Sequence, residues 1–198
     1  MYPIGMIIYS VLIYFKNEKW ARIFGLIAVV QAISTHWYTG VVMQLNPARH
    51  PNHTAMAAML FLIGAFVSGI GLLNLMLWIR DKMVKEESRL DPQMYFGLAQ
   101  LMLFGIVLDL FLVFSEFMQM TYGTEEEYHV LELVRTVFYF PVAGVYIFGA
   151  LIVPLIIFIS PFGKTKTGVL VASACTAGGI YGMRIGWVLM SQFSQTFF

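Results

Sequence analysis

Residues 94–122 read MYFGLAQLMLFGIVLDLFLVFSEFMQMTY. Across this stretch only Asp109 and Glu116 carry charge. About 20 mostly apolar residues suffice for one helical crossing of a bilayer, whereas helices of a soluble domain alternate apolar and charged faces. This stretch does not alternate. It therefore predicts a membrane span with two carboxyl groups inside it.

The rest of the chain agrees. It has 198 residues, 59% of them hydrophobic, 16% aromatic and 12% charged, with mean hydropathy +0.76. Soluble domains carry roughly 25% charged residues, so this chain lacks the ionic groups to solvate a globular surface. Soluble enzyme folds, nucleic-acid-binding modules and disordered chains are excluded. The expectation is an all-α, polytopic transmembrane bundle forming one domain over residues 1–198. Apolar runs predict about six spans, at residues 2–15, 20–45, 53–80, 94–122, 138–160 and 167–193. The first is short against the usual 17 to 25 or so residues. It is not read as a signal peptide, because its positive charge follows rather than precedes it and no small-residue cleavage site appears.

Charge sets the expected orientation. Lys16, Lys19 and Arg22 follow the first run; Arg80, Lys82, Lys85 and Arg89 follow the third; Lys164 and Lys166 follow the fifth. Nine of the 12 basic residues thus fall on alternate connections. The positive-inside rule makes those connections cytoplasmic and puts both termini outside. The acidic run Glu125–Glu127 then faces outward, at the start of a stretch (Gly123 to Val137) whose pattern suits an amphipathic interfacial helix. Asn46-Pro47 and Pro51-Asn52 bracket an outer loop, and Ser160-Pro161-Phe162-Gly163 makes a tight inner one.

An ionisable group in hydrocarbon costs about 2.5 to 3.5 kcal/mol on insertion scales, so each one requires a reason. His36, Asp109, Glu116 and Arg184 are the candidates. Asp109 and Glu116 lie seven residues apart on one helix face, about 10 Å along the axis. All four are expected between mid-membrane and the outer surface, where they could form one polar track. A plainer reading stands beside this one: Arg184 neutralises a carboxylate, Glu116 reaches outward to the interface, and His36 bonds across helices. Gly178, Gly182 and Gly186, with Gly64 and Ser68, are expected to let helices approach closely. Arg184 is expected on another face of its helix.

Several chemistries fail on residue counts. His36 alone among the four histidines lies well within a span, so a bis-histidine haem is not expected. The single cysteine, Cys175, forms no disulfide or cysteine-ligated cluster within the chain. No nucleophile-elbow, phosphate-loop or dinucleotide pattern occurs. Neither metal nor haem is expected on this chain.

Residues 35–73 read THWYTGVVMQLNPARHPNHTAMAAMLFLIGAFVSGIGLL. This stretch resembles the NrfD-like polysulfide-reductase membrane subunits, which interact with quinol and anchor respiratory iron–sulfur and molybdenum complexes. In that family a helix ends in His with a Thr/Ser-Gly turn, an Arg-bearing loop follows, and the next helix holds Ala-x-x-Ser-Gly. The matching positions are His36, Thr39, Gly40, Arg49, Ala65, Ser68 and Gly69. FSEFMQMTYG at 114–123 is similar to the family's Glu with Tyr and Gly six and seven residues on (Glu116, Tyr122, Gly123), and Pro154 and Arg184 fit as well. The resemblance covers roughly residues 20 to 190, and the chain looks like the later six of the family's helices. Upstream helices that help form the family's quinone pocket are missing, so another membrane chain would complete it, or the chain is part of a longer protein.

The resemblance implies a haem-free subunit of a respiratory oxidoreductase complex in a prokaryotic cytoplasmic membrane. It would exchange electrons and protons between a quinone, of menaquinone or ubiquinone type, and an iron–sulfur subunit at the outer face, beside a catalytic, molybdenum-type subunit. On that reading His36 hydrogen-bonds a quinone oxygen, with Trp37, Tyr38, Ser68 and Tyr122 completing the quinone site. Asp109 and Glu116 relay protons while Arg184 compensates their charge. Arg49, His50 and His53 of the loop, with Glu125 and Glu126, are the expected docking surface. Two alternatives remain: an ion- or proton-translocating subunit using the same carboxylates, and a purely structural anchor.

Overall fold

The computed structural model describes residues 2–44, 55–86 and 89–193, all of them in helices or the turns between them. The helices are α1 (Tyr2–Tyr14), α2 (Glu18–Gln44), α3 (Ala55–Met83), α4 (Pro92–Tyr122), α5 (Glu125–Thr136), a π-helical segment (Phe140–Ile152) continuing into α6 (Val153–Ile159), and α7 (Lys166–Phe193) after a 3-10 turn at Pro161–Lys164. The chain is a helical membrane bundle. Among the described residues four helices are long and apolar enough to cross a membrane: Met56–Met83, Pro92–Tyr122, Phe140–Ile159 and Lys166–Met190. α1 is a shorter apolar helix. α2 has the length, but Gln31, Ser34, Thr35 and His36 dilute its apolar character.

Local chemistry sets the turns. Lys16 has φ 54°, and around it Lys16 N–H donates to Ile13 O while Asn17 N–H donates to Leu12 O. That pair of bonds is a left-handed helix stop of the kind glycine usually supplies, and it folds α2 back on α1. Asp91 caps α4 by accepting from Gln93 N–H at 3.0 Å, with Pro92 in the first turn, where its missing N–H costs nothing. Thr124 and Glu127 form a reciprocal capping box at the start of α5.

α3 is the hub, packing on α2, α4 and α7. Asn74 meets Ser173 and Gly64 meets Ile180, so α3 and α7 run antiparallel. The main core joins Val67 and Ile70 of α3, Met102 and Ile106 of α4, Tyr146 and Ala150 of the π segment, and Ala172 and Ile180 of α7. A second cluster caps the acidic end. There Val130, Leu131 and Val134 turn the apolar face of α5 onto Phe61, Met120, Trp187 and Met190. The amphipathic pattern of α5 therefore serves packing inside the protein.

Two details differ from expectation. The close-approach stripe on α7 starts at Gly179, not Gly178: Cβ atoms built at Gly179, Gly182 and Gly186 would stand 2.5, 2.8 and 3.2 Å from Ala150, Val145 and Pro141, whereas Gly178 has open space. Spacing i, i+3, i+7 follows the 3.6-residue helical turn more closely than a strict four-residue repeat. The second difference is the π-helix, which the apolar run at 138–160 did not announce. Pro154 has no N–H to extend the ladder, and just before it Val153 N–H reaches back five residues to Phe148 O.

Candidate functional site

Asp109 and Glu116 both point into the bundle, 0% and 3% exposed. Asp109 accepts a hydrogen bond from Tyr146 Oη at 3.0 Å, and its Oδ2 is buried with no hydrogen-bond partner among the described residues. Buried polar atoms are almost always paired, so such an oxygen is a place where a proton or a water could arrive. Tyr146 also lines a small cavity with Glu116, Trp187, Val134 and Val142. The phenol thus stands between the two carboxyl groups, and the π segment carries it. Stretches of π-helix are frequent where a side chain must be re-aimed at a functional site.

Arg184 is directed elsewhere. Its Nη2 donates to the Phe61 carbonyl at 3.4 Å, its guanidinium lies 5.8 Å from the Phe61 ring centre, and its Nε is buried without a partner. The partner of Asp109 is Tyr146, not Arg184. Phe61 and Tyr146 line a second small void with Trp187, which links the two sites through apolar contacts rather than a charge pair.

His36 lines an apolar cavity of about 530 Å³ between α2, α3 and α4, with Ile33, Leu62, Phe66, Phe104 and Leu108 among its walls. Its Nδ1 sits 2.9 Å from the Ala32 carbonyl. A ring nitrogen held by a carbonyl carries the proton, which in the neutral ring makes Nε2 the acceptor. Gly105 and Leu108 of the cavity wall lie one turn before Asp109 and next to it, so the buried carboxyl adjoins this stretch of α4.

The other expected quinone contacts do not reach this cavity. Trp37 and Tyr38 are exposed on α2. The Ser68 hydroxyl is satisfied inside α3 by Gly64 O at 2.6 Å. Tyr122 is 82% exposed at the end of α4. Arg49, His50 and His53 lie outside the described residues. Glu125 is exposed at the start of α5; Glu126 belongs to the same turn.

A polar cluster at the other end of the bundle went unnoticed in the sequence. Asp81, 3% exposed, accepts from Tyr95 Oη at 2.8 Å, Lys166 Nζ at 3.2 Å and Leu90 N–H at 3.2 Å. Arg80 lies 3.6 Å away. Lys166 also sits 4.2 Å over the Tyr95 ring. Between the two carboxyl sites lie buried Asn74, Ser173 and Thr176: Asn74 donates to Ser173 Oγ at 3.2 Å, while Asn74 Oδ1 and Thr176 Oγ1 are unpartnered. Asn74 and Tyr146 were visible as polar groups within apolar runs, but nothing in the sequence said what they face. Among the described residues no group of three His, Cys, Asp or Glu could hold a metal ion.

No solved structure matches the chain. It is 31% identical over 170 residues to an Hdr-like menaquinol oxidoreductase integral membrane subunit of Archaeoglobus fulgidus, a match covering 81% of this chain and 40% of that protein. The chain thus spans well under half the length of that relative. The NrfD polysulphide reductase family matches residues 2–198, essentially the whole bundle from α1 to the end of α7, and the chain belongs to that family.

Proposed function

We propose that this chain is the quinone-handling membrane subunit of a respiratory oxidoreductase complex. The observation that carries the reading is the cavity of about 530 Å³, apolar apart from His36 and adjoining, along α4, the Asp109–Tyr146 pair. Small-molecule sites have this character: roughly 300–1,000 Å³, mostly apolar, with a few placed polar groups. The family assignment and the menaquinol-oxidoreductase relative support a quinone as the ligand. A quinone supplies a two-electron, two-proton couple; this chain's part is to hold the ring and move the protons.

The residues divide that work. Neutral His36, with Nδ1–H on Ala32, offers Nε2 to accept from a quinol hydroxyl, and the protonated ring donates to a quinone carbonyl. Leu62, Phe66 and Phe104 supply the apolar walls for an isoprenoid tail. Asp109 takes or gives a proton at Oδ2, its unpartnered oxygen, while Tyr146 fixes Oδ1. Glu116, sharing a cavity with Tyr146, continues the path toward the acidic end. The nine basic residues support an orientation with that end outside. There the α5 surface bearing Glu125 is the docking site for an iron–sulfur subunit. A second membrane chain, or the rest of a longer one, covers the lipid-facing side of α2.

The test is quinol-linked electron transfer in the assembled complex. Replacing His36 with Ala should slow turnover and weaken quinol binding while assembly persists. Wild-type rates in an intact H36A complex would overturn the assignment. Buried Asn74, Ser173 and Thr176 favour a second reading, in which protons also cross toward the basic end. Proton flux through liposomes holding this chain with no redox partner would select that reading.

A further inference from the structure

A second cavity of about 350 Å³ opens between α4, the end of α6 and the 3-10 turn, lined by Phe96, Gln100, Leu103, Phe158 and Lys164. It lies at the basic end, away from His36 and Asp109. Lys166, two residues beyond Lys164, stacks on Tyr95, so this turn lies level with the first turn of α4. The wall from Phe96 to Leu103 then runs about 10 Å toward the bundle's middle. Along that depth the chemistry changes in order. An ammonium stands at the mouth, the Gln100 amide lies about one turn further in, and Leu103 lies nearly one turn beyond that, with Phe158 on the facing wall.

The two polar groups are available. Lys166 is committed to Asp81, but Lys164 is exposed and no carboxylate among the described residues pairs with it. Gln100 is exposed on a membrane-crossing helix. An amide facing lipid tails has no partner there, and leaving it unpaired costs free energy. A ligand that satisfies the whole groove needs an anion at one end, hydrogen-bond acceptors a few ångströms deeper, and an apolar tail. We propose that this cavity is a binding site for an anionic phospholipid. The phosphate pairs with Lys164, a glycerol-ester carbonyl accepts from the Gln100 amide, and an acyl chain lies on Leu103 and Phe158. A quinone ring brings no charge to meet the ammonium, so the chemistry favours the lipid.

The experiment uses the full chain, with any subunits that purify with it, in phosphatidylcholine nanodiscs with or without phosphatidylglycerol. Retained lipid is counted by native mass spectrometry. Phosphatidylglycerol should be retained in preference to phosphatidylcholine. Lys164→Gln should weaken that preference about five-fold, the value of about 1 kcal/mol for one basic residue at a charged interface. Gln100→Leu should reduce retention of both lipids, since both carry ester carbonyls. Lys85→Gln removes an exposed charge of the same sign outside the cavity and should change little. Equal effects of K164Q and K85Q would reduce the preference to general surface charge and overturn the site. So would displacement of the retained lipid by menadione, a tail-less naphthoquinone, which would make this a second quinone cavity.

Discussion

Two buried aspartates on neighbouring helices of this bundle are treated in opposite ways. Asp81 at the basic end has both oxygens engaged, by Tyr95, Lys166 and the Leu90 N–H, with Arg80 nearby. Asp109 has one donor, Tyr146, and a second oxygen with none. Both are almost wholly buried, at 3% and 0% exposure, so burial alone does not separate them. Their partners do. Asp81 ties the end of α3 to α4 and α7 through charge-assisted bonds, whereas Asp109 holds an incomplete set of bonds in the middle of the core. The first arrangement resists change and the second invites a proton.

The sharpest way to break this contrast is to remove each carboxylate. Asp81→Ala strands Lys166 and Tyr95 and should lower the unfolding midpoint more than any other replacement here. Thermal unfolding in detergent measures it, and a midpoint unchanged from wild type would remove Asp81 from the role of clamp. Asp109→Asn keeps the shape and should leave unfolding within about 1 kcal/mol of wild type. Quinol-linked turnover should fall about 100-fold, the scale of a lost acid–base group. If D109N instead lowers the unfolding midpoint as far as D81A does while the folded protein keeps full specific activity, the two aspartates are alike.

Tyr146→Phe sharpens the comparison by leaving Asp109 no donor at all. It should cost about 1 kcal/mol of stability and shift the pH profile of turnover; an unchanged profile would detach the phenol from proton handling. The smallest effect is expected at Ser173→Ala, which removes the hydroxyl that accepts from Asn74 and should cost about 0.6 kcal/mol in unfolding. Turnover unchanged in S173A keeps the two aspartates independent. Slowed turnover with intact folding would connect them through the column of Asn74, Ser173 and Thr176.

How far these features could be read in advance depended on their range. Helix positions follow from runs of apolar residues, and the carboxyls of Asp109 and Glu116 stand out because hydrocarbon penalises them wherever they face. Partners do not follow. The Arg184 and Asp109 charges invited pairing, yet Arg184 turns to Phe61 because on α7 it lies off the glycine stripe that meets the π segment. Asp81 lies among Arg80, Lys82 and Lys85, just past the third apolar run; it is held by Lys166, 85 residues away. The π register was hidden as well, since an apolar run has the same composition at either pitch. Of the expected quinone contacts, His36 alone meets the cavity, because neighbours such as Trp37 and Tyr38 on a helix point away from it.

The pairing of α3 with α7 has a consequence for synthesis of the chain. Asn74 and Ser173 are 99 residues apart, so α3 leaves the ribosome long before the helix that covers its polar face. At about 5–20 residues per second the delay is about 5–20 s. Throughout it the Asn74 amide and the Gly71 groove, which close on Ser173 in the finished bundle, stand open to lipid or to an insertion chaperone. α7, which emerges after the other described helices, is therefore the one that completes this core, and a chain truncated before it would leave α3 without its main partner.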